Sequence, residues 1–170
     1  MKPPYSSLPI ANTFLDLAGG KGVSLTATQI HKLIYLAHGW HLALFDEPLI
    51  NHSVEAWRSG PVIPPLYYKT RRYGAGPITQ RIPIQNAGLF IEDGYEMVPE
   101  QDVRTRAFME RIWNVYGCYS VAELAALTRE DGTPWYVTWH LKGGRLGGGA
   151  DIEPELVKEH FVQLRVQREQ

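Results

Sequence analysis

The stretch TATQIHKLIYLAHGWHLALF, Thr26 to Phe45, decides the architecture of this chain. Ile30, Leu33, Ile34, Ala37, His41 and Leu44 recur at helical spacing and make one face. Leu36, Trp40 and Ala43 widen the apolar surface well beyond a narrow stripe. A helix apolar on most of its sides belongs at the centre of a core. Thr26 or Thr28 can cap its start. The remaining face carries His31, Tyr35 and His38, spaced i, i+4, i+7, and is expected to face outward, where a partner could reach it.

The segments on either side also read as helices. Before the central stretch, Ile10, Phe14 and Leu17 predict a helix from Pro9 to about Ala18, stopped by Gly19-Gly20. After it, the spacing of Val103, Ala107, Phe108, Ile112 and Val115 predicts a helix over Asp102 to Tyr116. Ser120 and Glu123 form a capping-box pair ahead of a short helix through Leu127. Thr133-Pro134-Trp135 reads as a cap followed by proline at the first helical position. Gly143 to Gly149 reads as a flexible connector, and a last helix is expected over about 153–168. Ile78 to Val98 has an extended pattern, with a candidate hairpin turning at Asp93-Gly94. The expected fold is mainly α: one compact domain over residues 1–170 around a central apolar helix, with a small β-hairpin or extended element in the middle.

The most distinctive segment is VEAWRSGPVIPPLYYKTRRYG, Val54 to Gly74. Gly60-Pro61 and Pro64-Pro65 limit its backbone freedom. Around them stand Trp57, Arg58, Tyr67, Tyr68, Lys69, Arg71 and Arg72. Tyr, Trp and Arg are the types enriched at the centres of protein interfaces. A basic helix is expected from about Leu66 to Tyr73. The segment reads as a rigid recognition element rather than a catalytic site. Trp57 and Trp135 also suit core anchoring, since large aromatics dominate core energetics wherever they occur.

The bulk numbers bound the function. A chain of 170 residues fits one domain by the prior of roughly 100–200 residues. The net charge of −1 gives no push toward nucleic acid. No run of about 18 apolar residues exists, so a membrane is not an expected partner, and a cytoplasmic location is expected. The single cysteine, Cys118, fits a reducing compartment and is expected to be a small buried residue.

Catalytic and metal motifs are missing from the sequence. His38 and His41 lack the carboxylate and third ligand of a His-Glu-x-x-His site, so no metal or other cofactor is expected. The glycine run lacks the Lys-Ser/Thr pair of a phosphate loop. No Gly-x-Ser-x-Gly elbow is present. The acids Glu92, Asp93, Glu96, Glu100 and Asp102 read as a solvated face.

The order ANTFLDLA, TQIHKLIYLAHGWHLAL, PLINHSVEAWRSGPVIPPLYYKTRRYG and ELAALTREDGTPW resembles the Panacea antitoxin domain, the SocA-like family found in phage-associated GepA-type proteins. The resemblance covers about residues 10–139. Its family-motif positions are Trp57, Gly60 and Pro61, and Thr133, Pro134 and Trp135. Ser59, Arg129 and the Ile30-His31 pair depart from the family's usual residues. The resemblance implies a non-enzymatic antitoxin that binds a cognate protein toxin encoded by a neighbouring gene. It also implies an alternative, an adaptor that delivers its toxin to a AAA+ protease; a phage or host regulatory factor remains a further reading. Self-association stays open. An enzyme acting through His31, Tyr35 and His38 is the least supported reading. The candidate partner-binding residues are therefore Arg58, Tyr67, Tyr68, Lys69, Arg71, Arg72, His31, Tyr35 and His38.

Overall fold

The computed structural model describes residues 2–84 and 94–170. The first helix, α1, spans Ser7–Gly20. A two-residue strand, β1 (Leu25–Thr26), leads straight into α2 (Ala27–Phe45). A hairpin follows, β2 (Glu55–Trp57) and β3 (Gly60–Val62), then α3 (Pro64–Thr70), a 3-10 turn at Arg71–Tyr73 and β4 (Pro77–Ile78). The second half holds α4 (Val103–Tyr116), α5 (Val121–Arg129) and the short α6 (Pro134–Tyr136), which continues as a π-turn over Val137–Leu141. A 3-10 turn at Gly144–Gly147 precedes β5 (Ala150–Asp151), and α7 (Pro154–Glu169) closes the chain. The domain is mainly α. Its two small sheets pair β1 with β4, and β3 with β2 with β5.

The central helix forms for the reason its sequence suggests. Thr26 caps it by accepting from the Gln29 amide, while the Gln29 side chain accepts from the Thr26 amide, a complete capping box. Every residue from Ile30 to Leu42 is buried. The helices α1, α4, α5 and α7 and the hairpin all pack on it. Helix α7 approaches closely at Gly39, where a Cβ would clash with the Phe161 ring. The absent side chain lets Phe161 sit edge-on to Tyr35 and Trp40, at 5.9 and 5.4 Å between ring centroids.

Three expectations are corrected here. His31, Tyr35 and His38 do not face outward; α7 and the loops around the hairpin cover that strip, and all three are buried. The inner face of α4 is Thr105, Phe108, Met109, Ile112, Trp113 and Tyr116, so Val103, Ala107 and Val115 point outward. Trp113 and Tyr116 offer larger apolar surfaces than the valines and set the helix rotation. Cys118 is exposed, because it follows the last turn of α4 rather than sitting within it. The expected hairpin turning at Asp93-Gly94 lies outside the described residues apart from its second arm, which runs as coil from Gly94. The glycine connector contains the 3-10 turn and places Ala150–Asp151 beside β2.

Candidate recognition site

The hairpin places its register as Glu55↔Val62, Ala56↔Pro61 and Trp57↔Gly60, with Arg58 and Ser59 exposed at the tip. The β5 strand pairs with the other edge of β2 and leaves the tip free. Gly60 has φ +117°, which a side chain rarely adopts, and a Cβ there would stand 2.7 Å from Lys32 Nζ. The backbone angle is what calls for glycine. Pro64 and Pro65 then open α3, where the first-turn amides have no helical partner to lose.

The hairpin and α3 together build an exposed ridge. The Trp57 ring meets Tyr67 edge-on at 4.8 Å, and Tyr67 meets Tyr68 at 5.6 Å. The Arg71 guanidinium lies over Tyr68 at 5.4 Å. Tyr68 is 60% exposed, the most open of these aromatics. The other two basic residues are engaged elsewhere. Arg72 folds over its neighbour Tyr73 at 5.0 Å and donates to its hydroxyl, and Lys69 donates to the Ile84 carbonyl. The candidate set thus resolves into Arg58, Tyr67, Tyr68 and Arg71 around Trp57, with Lys69 and Arg72 tied down beside it.

The helix α2 fastens this element from below through its buried histidines. His31 Nδ1 accepts from the Ile63 amide at 3.2 Å, and its Nε2 meets the Thr70 hydroxyl at 3.4 Å. One imidazole therefore holds both ends of α3. Burial, reinforced by the neighbouring Lys32, lowers its pKa to about 3, so the ring is neutral. His38 accepts from the Ile50 amide at 3.4 Å, and burial lowers its pKa to about 4. His41 Nδ1 donates to the Glu47 carbonyl at 2.6 Å. These rings stitch loop backbone to the core helix. No group of three or more metal-ligating side chains occurs among the described residues. Tyr35 differs: its hydroxyl is buried with no hydrogen-bond partner among the described residues.

The family-motif residues meet in space. Thr133 caps α6 by accepting from the Tyr136 amide, and Pro134 takes the first helical position. This aims the Trp135 indole at the Trp57 carbonyl, to which it donates at 2.7 Å. Arg129 lies over the Trp135 ring at 5.4 Å.

Two features escaped the sequence reading. The first is Lys32, which lines a cavity of about 230 Å³ between α2, the hairpin tip and α3. Its signal was a lysine interrupting the apolar-rich segment Ile30 to Phe45. The second is an apolar groove of about 610 Å³ where the end of α2 meets α4 and α7. Trp40, Leu44, Phe45 and Val115 give its floor and walls, and Arg104, Arg111, Arg165 and Arg168 stand on it. Two of these guanidiniums lie over the floor, Arg104 over Phe45 at 4.4 Å and Arg168 over Trp40 at 4.7 Å. The outward turn of Ala107 and Val115, opposite to the expected phase, is what opens this groove.

Comparison with known proteins agrees with the motif reading. Residues 30–136 match the family described as antitoxin SocA-like, Panacea domain. The chain is 30% identical over 154 residues to a protein named Antitoxin SocA from Caulobacter vibrioides (strain NA1000 / CB15N), covering 89% of this chain and 80% of that protein. No solved structure gives a significant match. No helix among the described residues is long and apolar enough to cross a membrane. With the matched span running from the central helix through the Thr133-Pro134-Trp135 box, this chain belongs to the SocA-like antitoxin family that carries the Panacea domain.

Proposed function

We propose that this protein is the antitoxin of a toxin–antitoxin pair and neutralises a protein toxin by direct binding, without chemical turnover. The observation that carries this reading is the ridge of Trp57, Tyr67, Tyr68 and Arg71 on a backbone held by Pro61, Pro64, Pro65 and the His31 bonds. A preorganised surface loses little entropy on binding. Tyrosine adds flat contact area at low rotamer cost. Exposed Arg58 and Arg71 can make charge-assisted bonds to acids on the toxin. The toxin is expected to be the product of an adjacent reading frame, and the complex to form in the cytoplasm.

The test is a titration of toxin activity against purified protein. Inhibition that completes at a fixed molar ratio supports binding. Complete inhibition by a small catalytic fraction would establish turnover instead.

A second reading, delivery of the toxin to a AAA+ protease, draws on the groove. An adaptor needs two separate surfaces. Leu44 in the groove lies twelve residues beyond Lys32 along α2, about 18 Å at the helical rise. Toxin half-life in cells with and without this protein separates the readings. A half-life that shortens when the protein is present favours delivery.

A further inference from the structure

We propose that the cavity under Ser59 and Tyr67 is a carboxylate-binding site centred on the Lys32 ammonium, and that it seats an aspartate or glutamate side chain of the toxin. In naming the toxin as the source of the carboxylate, the proposal rests on the toxin-binding reading above.

Lys32 is only 1% exposed, yet among the described residues it makes a single hydrogen bond, to the Pro61 carbonyl at 3.0 Å. An ammonium has three donors. The four ion pairs among the described residues leave Lys32 out. A buried charge without a counter-charge is costly, and among the described residues this one has none. Burial lowers the Lys32 pKa to about 7, and the like charge of Arg129 adds to the shift. Arg71 adds a further positive charge at the cavity wall. His31 is neutral and already bonded to Ile63. With its pKa near 7 the Lys32 amine exchanges its proton at neutral pH, and an incoming anion favours the charged ammonium, in a site of low dielectric where attraction is strong.

The shape and the donors suit a carboxylate. The cavity of about 230 Å³ admits one acidic side chain and opens beside the exposed hairpin tip. Thr28 and Ser59, both hydroxyl-bearing residues, line its wall. Thr28 lies in the first turn of α2, where the helix dipole favours negative charge. The approach of Gly60 to within contact of Lys32 Nζ keeps the ammonium covered from the hairpin side. One ammonium, one guanidinium and two hydroxyls match a monoanion better than a phosphate, which brings more charge and three strong acceptor oxygens. The site also lies against the ridge, since Tyr67 and Arg71 belong to both. A toxin seated on the ridge can place an acid in the cavity without a second docking event.

The test uses the whole protein, uniformly labelled with carbon-13 and nitrogen-15. Sodium acetate and inorganic phosphate are titrated separately at constant ionic strength, and the Lys32 Cε and Ser59 amide resonances are followed. Saturable shifts with acetate, weakened in Arg71→Ala and abolished in Lys32→Met, are expected. Arg71 is exposed, so Arg71→Ala keeps the test valid if Lys32→Met does not fold. No saturation with acetate, or saturation by phosphate alone, overturns the proposal. The second arm measures affinity for the product of the adjacent reading frame. Lys32→Met, or Arg71→Ala in its place, is expected to lower that affinity, by about 30-fold for the lysine as for a hot-spot contact. Acetate binding with unchanged affinity for that product overturns the assignment to the toxin. If the wild-type protein does not bind that product, the toxin reading fails, while the acetate titration still decides the cavity.

Discussion

The Trp135 indole donates to the carbonyl of Trp57 across 78 residues of sequence, at 2.7 Å. This bond joins the Thr133-Pro134-Trp135 box to the hairpin. It fixes the β2 edge from which the ridge projects. Trp135→Phe keeps an aromatic ring but removes the N–H donor together with the rest of the buried indole. The expected loss is about 1–3 kcal/mol, because the part-buried Trp57 carbonyl is left unsatisfied. Urea unfolding checks it. An unchanged midpoint would mean that water replaces the indole without cost.

Gly39 of α2 packs directly against Phe161 of α7. Gly39→Ala puts a methyl where the Phe161 ring now lies, at 2.2 Å. Overpacking of this kind costs about 1–3 kcal/mol. Adding Phe161→Leu to Gly39→Ala should recover part of that loss, with the pair non-additive in a double-mutant cycle. Additive losses would place the strain elsewhere.

Tyr35 carries a buried hydroxyl without a partner among the described residues, so Tyr35→Phe removes an unsatisfied group. Thermal melts should show Tyr35→Phe as stable as the parent or more so. Leu33→Ala should lose about 2–5 kcal/mol as a large-to-small change in the core. A clear destabilisation by Tyr35→Phe would reveal a hydrogen bond for that hydroxyl.

Stability should fall with acid. An unfolded histidine takes its proton near pH 6.5. In the fold, burial delays this to about 3 for His31 and about 4 for His38. Between those values the unfolded chain binds more protons, so stability drops as pH falls below 6.5. The limiting slope is about 1.4 kcal/mol per pH unit for each ring. Lys32 acts in the same direction at higher pH, with stability rising between its folded value of about 7 and the ordinary value of about 10.4. Unfolding midpoints at pH 7, 6 and 5 test the histidine part. A flat series would contradict the burial of both rings.

Toxin affinity should respond to the ridge more than to the groove. Tyr68→Ala is expected to weaken binding by about 2 kcal/mol or more with the melting temperature unchanged. Arg72→Ala should do less, because that guanidinium is folded onto Tyr73. Leu44→Glu, in the groove, should leave toxin affinity intact. The reverse pattern would move the toxin contact to the end of α2.

Local signals in the sequence determined the helices, their caps and the position of the proline-bounded aromatic segment. Thr26 with Gln29, Ser120 with Glu123, and Thr133 before Pro134 each bond within one turn, so a few consecutive residues contain the whole interaction. The apolar breadth of α2 likewise announced a central helix. The direction of each side chain on that helix was not local information. His31, Tyr35 and His38 look polar in a helical projection, but α7 and the segments around the hairpin cover them, and the histidines pair with backbone amides of Ile63 and Ile50. The rotation of α4 was decided by which of its residues filled the core best, and that competition involves α1 and α2. Lys32 gained its meaning only when the hairpin folded Pro61 and Gly60 over it. Burial and charge environment are sums over distant segments, so only the tertiary structure could supply them.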